Sequence, residues 1–313
     1  MSESHVSRLS DQLYRVQGKK PSRHWLLLDP ALRPLPDDSP LGLELRGREI
    51  IRVSINAGLD SSLLPLLVPY SVESFADFQL IHESLNEALG ELAPASLATG
   101  AGRRICGWID AECSAQALSA HFAKHALQRR AGHLNLLRWY DPAVFWAMWP
   151  ILDDTQRATL LGPVKMLHFL DPAGEWIHSE ATKAPASFKV LELSDAQWRQ
   201  IDHIAPLNAV LRKLVTGLRT VTSIGHVRKV IMQALARASS IGFTDAQDLE
   251  AFALLAATVH PAFDSHPLIV TRLKRRNPAD YFSMLVDDLT PDQWSAIGRE
   301  LSETLQEHED SLS

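Results

Sequence analysis

The stretch Leu134-Asn135-Leu136-Leu137-Arg138-Trp139-Tyr140-Asp141-Pro142 sets the reading of the rest of this chain. The run before Asp141 is rich in Leu and aromatic side chains, which predicts a strand buried on both faces or nearly so. Arg138 is the one charge inside it. Asp141 suits a helix N-cap, because its carboxylate can accept the free backbone N–H groups of the next turn. Pro142 suits the first helical position, where its missing N–H costs nothing. A short helix from Val144 to Trp149 is expected to follow. Arg138 precedes Asp141 by one short turn, so its guanidinium is expected to fold back onto that carboxylate. Alternation along the strand sends Trp139 to one face and Arg138 with Tyr140 to the other. The plain reading is strand, cap and ion pair. The alternative is recognition at the C-terminal end of the strand, where α/β sheets bind ligands.

Before this stretch, the first part of the chain alternates strands and helices. His24 to Asp29 reads as a strand ended by Pro30, and Ile50 to Ile55 as a β-branched one ended by Asn56 and Gly58. Leu63 to Tyr70 is apolar but carries Pro65 and Pro69, which predicts an irregular or edge segment. From Glu73 to Leu89, Phe75, Phe78, Ile81, Leu85 and Leu89 fall on one helical stripe. Arg104 to Ile109 reads as a strand. Ser114 caps a helix that carries Leu118, Phe122 and Leu127 and ends at Gly132. After the stretch, another helix spans Asp154 to Leu161. Val164–Leu170 and Trp176-Ile177 form a hairpin around Asp171-Pro172-Ala173-Gly174. This alternation argues for a mixed α/β sheet. Polar, small residues from His178 to Ser187, with Pro185, mark a boundary, giving an α/β domain over 1–185 and a helical domain over 186–313. Phe188 to Leu191 reads as a candidate last strand.

The helical part contains an echo. Leu193-Ser194-Asp195-Ala196-Gln197-Trp198 and Leu289-Thr290-Pro291-Asp292-Gln293-Trp294 are both capping boxes with a hydrophobic staple. Thr244 to Gln247 reads as a third box, and Asn277-Pro278 as the start of a further helix. Convergent helix-start grammar and a true duplication explain the echo equally well.

Composition narrows the function. The chain of 313 residues is 46% hydrophobic and 22% charged, enough apolar material for a real core. A net charge of −6 argues against a general nucleic-acid binder. Cys106 and Cys113 form no CxxC pair, which fits a reducing compartment. Met1 to Gln12 is polar, so no secretory signal is expected, and no apolar run is long enough for a bilayer. A cytoplasmic protein that does not contact membranes is the expectation.

Motifs of catalysis are scarce. The sequence has no GxSxG, HExxH, GxxxxGK[ST] or GxGxxG. Thr99 to Arg103 contains glycines but precedes a strand, so it is not read as a phosphate cradle. His121 and His125 stand one helical turn apart without a well-spaced third ligand, and are expected on a solvated helix face. His260 to His266 reads as a loop, and Arg272 to Arg276 as a basic helix end. No catalytic residue, cofactor or metal is expected. The aromatic crowd of Trp139, Tyr140, Trp146 and Trp149 reads as core or, more sharply, as a platform for another protein.

Arg138-Trp139-Tyr140-Asp141-Pro142 resembles the arginine–aromatic–tyrosine–aspartate–proline signature of the bacterial type VI secretion effector adaptor (chaperone) family. His24 to Asp29 resembles that family's opening strand, with Pro30 where a glycine is usual. Leu63 to Tyr70, Trp108 with the Ser114–Arg130 helix, and Leu161 through Trp176 resemble its following elements. Ala143 stands where the family often has a second arginine. The resemblance covers about residues 20 to 180. It implies a non-enzymatic cytoplasmic adaptor that binds a secreted effector and helps load it on the spike protein. Arg138, Trp139, Tyr140, Asp141, Pro142, Trp146 and Asp29 would then form or support a binding surface. The competing expectation is an enzyme with a polar cleft near Asp29, Arg138 and Asp141.

Overall fold

The computed structural model describes residues 3–18, 22–55, 58, 60, 61, 64–180, 190–217 and 224–310. The chain divides into two compact units, Met1–Gln197 and Trp198–Ser313. The boundary expected after residue 185, with Pro185, lies outside the described residues, as do Asn56, Leu63 and the first half of the Phe188–Leu191 segment.

In chain order the first unit runs α1 (Glu3–Gln17), β1 (Arg23–Leu28), α2 (Pro40–Leu45), β2 (Ile51–Arg52), β3 (Leu66–Tyr70), α3 (Phe75–Glu91), α4 (Pro94–Ala98) and β4 (Ile105–Ala111). It continues with α5 (Ala115–Ala126), β5 (Leu127–Arg130), β6 (His133–Leu136), α6 (Pro142–Met148), α7 (Asp154–Leu161), β7 (Val164–Leu170) and β8 (Trp176–Glu180). Then come α8 (Asp195–Asp202), α9 (Ile204–Thr216), α10 (Ile224–Ile241), α11 (Ala246–Thr258), α12 (Pro267–Arg275), α13 (Phe282–Val286) and α14 (Pro291–Asp310). An α/β domain followed by helices is the class expected.

Six strands form the main sheet in the order β2-β3-β1-β4-β7-β8, and every pairing is antiparallel. β1 and β4 lie at its centre, and both are almost wholly buried. Leu26, Leu28, Val68, Tyr70 and Trp108 alternate onto one face, where α1, α2 and α3 cover them with Leu9, Leu13, Leu41, Leu80 and Leu85. Gly107 sits where β4 crosses close to β7: a Cβ there would stand 2.6 Å from the His168 carbonyl oxygen.

The stretch around the signature departs from its expectation. Leu134 to Leu136 do not belong to a buried strand. They lie in β6, which among the described residues pairs with β5 alone in a separate two-stranded ribbon, and every residue of β6 is exposed. Trp139 and Tyr140 sit in a turn, not on opposite faces of a strand, and both are buried. Apolar runs of this length look alike whether they enter a core as a strand or as a tight turn. The helix capped by Ser114 therefore stops at Ala126, before Leu127. On α3, Ile81, Leu85 and Leu89 are buried as expected, but Phe75 is 93% exposed and Phe78 is exposed too, because the stripe leaves the core at the N-terminal end of the helix.

Helix caps follow the sequence closely. Ser194 and Gln197 bond each other's backbone N–H groups, as do Thr290 and Gln293. The third box differs: Asp245, not Thr244, is the cap, accepting from Gln247 and Asp248. Asn277-Pro278 forms a turn, and the next helix waits until Phe282. In the second unit Phe243, Phe252, Phe263 and Phe282 form a contiguous aromatic core.

Candidate functional site

The signature turn begins where Leu137 N–H bonds the Ala126 carbonyl at 2.7 Å and closes where Asp141 N–H bonds the Arg138 carbonyl at 3.0 Å. Asp141 caps α6 as expected, its carboxylate accepting from Ala143 N–H at 2.9 Å, with Pro142 in the first turn. Arg138 does not fold back onto that carboxylate. Its guanidinium lies 3.5 Å from a carboxylate oxygen of Asp29, just past the end of β1. Asp29 is fully buried, accepts from Ala31 N–H at 3.0 Å, and gives its own N–H to the Arg104 carbonyl at 2.8 Å.

Around this pair the chain gathers further charges. Arg103 and Arg104 enter β4, and both are buried. Glu91, at the end of α3, accepts the N–H groups of Arg104 and Ile105 at 2.9 and 3.2 Å. The Arg104 side chain bonds the Pro34 carbonyl and Glu87. Asp29, Glu87, Glu91 and Asp141 thus gather around Arg103, Arg104 and Arg138, a cluster that is buried except for the half-buried Glu87 and Arg138. Burial pushes Asp141 up to about 6, against the pull of the Ala143 N–H and of Arg103. Burial raises Asp29 as well, with Arg138 opposing. Burial and the neighbouring Asp29 raise the Tyr140 phenol, and burial raises the Cys106 thiol. The structure therefore brings Asp29, Arg138, Tyr140 and Asp141 together inside the protein. Trp139 stacks on Phe122 at 4.6 Å, and Trp139, Tyr140 and Trp146 are core, while Trp149 is half-buried, stacked on Phe145 and covered by Arg157.

A second polar centre escaped the sequence reading. A row of side chains crosses the sheet on the α1 face: Tyr70, His24, Asp110, His168 and His178, on β3, β1, β4, β7 and β8. Asp110 accepts from His24 at 3.0 Å, from His168 at 3.2 Å and from the Gln17 amide at 2.7 Å. Gln17 also bonds the Tyr70 hydroxyl, which ties α1 to the sheet. His168 and His178 meet through their Nδ1 atoms at 2.7 Å. Burial opposes ionisation of Asp110, but the hydrogen bonds from His168 and His24 outweigh it and hold the carboxyl at about 2. A cleft of about 530 Å³ opens beside this row, lined by Gln17, His24, Tyr70, Ser71 and Glu73 among others. It lies at the opposite end of β1 from Asp29. The row has no sequence signal, because its members come together only through strand register.

His121 and His125 are not on a solvated face. Their rings are 4.6 Å apart, His121 bonds the Leu160 carbonyl at 2.8 Å, and buried His125 accepts from Leu191 N–H at 3.1 Å. No group of three metal-binding side chains occurs among the described residues. His260 and His266 serve their loop: each accepts a backbone N–H, and His266 also meets Glu300. Arg272 and Arg276, expected in a solvated helix end, are engaged with Asp288 and with the ring of Phe243. No helix among the described residues is long and apolar enough to cross a membrane.

A family model described as a domain of unknown function, DUF4123, matches residues 3–159. The chain belongs to the DUF4123 family. That match covers the sheet strands β1 to β4, the exposed ribbon, the signature turn and α6. Comparison with curated proteins and with solved structures returns no match.

Proposed function

We propose that this DUF4123 protein is a cytoplasmic, non-enzymatic adaptor of a type VI secretion system. It holds a secreted effector and helps load that effector on the spike protein. The observation that carries this reading is the family match over residues 3–159 together with the signature at Arg138 to Pro142, which resembles the adaptor signature. The buried signature supports a particular division of labour. Asp29, Arg138 and Asp141 hold the end of the sheet, the new helix and the turn in one arrangement. Partners then contact the surface that this arrangement presents. With no nucleotide motif in the sequence, release of cargo falls to competing binding by the next partner. Co-expression with the proteins encoded beside this one, followed by size-exclusion chromatography and mass spectrometry, tests the reading. A stable complex with a neighbouring effector supports it, and a monomer that ignores every neighbour overturns it.

A second reading, an enzyme, shifts from Asp29 to His24. His24 is buried like Asp29 and Asp141, but it lines an open cleft, and its bond to Asp110 gives it the form of an oriented base. Asp110→Asn separates the two readings. An adaptor keeps its cargo as long as the variant folds, and an enzyme loses turnover.

A further inference from the structure

Between β8 and α8 the chain crosses the first unit once more, as a strap from Val190 to Ser194 that has no helix or strand of its own. Side chains hold it in place. His125 on α5 accepts the Leu191 N–H at 3.1 Å, and Gln156 on α7 donates to the Glu192 carbonyl at 2.7 Å. Among the described residues, no backbone group elsewhere in the chain pairs with Val190 to Glu192. Leu191 is fully buried while Val190 is exposed. A recess of about 300 Å³ stays open beside the strap, lined by Asp153, Gln156 and Thr159 on one side and by Val190 to Glu192 on the other. The strap thus lies in a groove that it does not fill.

Gln156 and Gln197 fasten the strap. Each side-chain amide donates to the other's carbonyl oxygen, at 3.0 and 2.6 Å, and Gln197 also donates to the Ile151 carbonyl at 3.0 Å. Each glutamine serves a capping box as well: Gln156 accepts the Asp153 N–H and Gln197 the Ser194 N–H, both at 3.0 Å. The boxes use the amide oxygens, and the fastening uses the N–H groups that the boxes do not need. Parting the two side chains therefore leaves both helix starts capped, and the fastening opens without unwinding α7 or α8. Both glutamines are half-buried, where water replaces such bonds at small net cost.

The groove reads features that any polypeptide offers: one N–H, the carbonyl of the next residue, and one buried apolar side chain. We propose that α5 and α7 form a peptide-binding groove and that Val190 to Ser194 is its built-in occupant, an autoinhibitory strap. The outside ligand it fits is a non-helical segment of a partner polypeptide that presents a leucine-sized side chain. That residue's N–H meets His125, and the following carbonyl meets Gln156. A tethered occupant is present at high effective concentration, so a partner segment enters only when it binds better than the strap or when the strap is drawn away. The proposal goes beyond the adaptor reading and does not need it.

The test uses the full chain and a fluorescent peptide with the chain's own 189–194 sequence, Lys-Val-Leu-Glu-Leu-Ser. Wild type, with its groove filled, should bind the peptide weakly. Leu191→Asp evicts the strap and should bind it about tenfold tighter or more. Gln156→Glu keeps the acceptor for the Asp153 N–H but loses the donor to the strap. Added to Leu191→Asp, it should return most of that gain, because the incoming peptide loses the same donor. A peptide with Asp in place of its first Leu should bind none of these chains. Thermal melts report whether each variant folds. Should Leu191→Asp not fold, Leu191→Ala decides, with the same order and a smaller gain. In Gln156→Glu alone, hydrogen exchange at the Leu191 amide should quicken about tenfold as the strap spends more time out of the groove. A folded Leu191 variant that takes the peptide no better than wild type overturns the proposal, and so does binding that ignores the peptide's leucine. Equal exchange at Leu191 in wild type and Gln156→Glu overturns it as well.

Discussion

The two ends of β1 hold buried charge in different ways. At its C-terminal end, Asp29 meets Arg138 at 3.5 Å, and one oxygen of Asp29 has no hydrogen bond. At its N-terminal end, His24 and Asp110 belong to a row in which the carboxylate accepts three donors. The first arrangement raises its carboxylates and the second lowers one. The difference lies in hydrogen bonds. A buried carboxylate that is fully bonded stays ionised, and one that relies on a distant guanidinium leans toward its neutral form. The N-terminal end is therefore the stronger brace and the C-terminal end the more adjustable one.

Breaking the stronger brace should cost most. Asp110→Ala strands three buried donors, from Gln17, His24 and His168, and should destabilise the first unit by about 3–5 kcal/mol in denaturant melts. A loss below that of Arg138→Ala would reverse the ranking of the two ends. Asp141→Ala removes the α6 cap and should cost about 1–2 kcal/mol. Asp141→Asn keeps an acceptor for Ala143 and should cost less, which separates the cap from the charge.

A smaller effect is read through pH. His125 is pushed down to about 3 from 6.5, mainly by burial and then by His121. Its unfolded form takes up a proton first as pH falls, so its contribution is full above 6.5 and declines toward 3. Asp141 runs the other way. Its folded pKa of about 6 exceeds the unfolded 3.8, so its contribution is full below 3.8 and is lost as pH rises through 6. Between these limits the two slopes oppose each other. Asp141→Asn should leave stability rising with pH across that window, and His125→Gln should leave it falling, each by up to about 1.4 kcal/mol per pH unit. Parallel slopes in the two variants would contradict the assignment.

What the sequence disclosed follows from how local each feature is. The Asp141 cap, the Pro142 helix start, the Ser194 and Thr290 boxes and the β7–β8 hairpin depend on neighbours in the chain, and all were legible. The Asp29–Arg138 pair was legible only as two members of one resemblance, because the contact spans the fold. The partner expected for Arg138 was the nearer carboxylate, but Asp141 spends its oxygen on the cap. Leu134 to Leu136 misled because exposed leucines at a sheet edge are written like buried ones. The Tyr70–His178 row was invisible, since its members are scattered one to a strand over five strands and only antiparallel register aligns them.

The buried signature, on this reading, supports a binding surface from within and is not itself the contact. The decisive variant is Arg138→Gln, expressed with the neighbouring effector, with melting temperature and cargo measured on the same preparation. A lowered melting temperature with cargo retained below it is the predicted result. An unchanged melting temperature with cargo lost would make Arg138 a contact residue and contradict the supporting role.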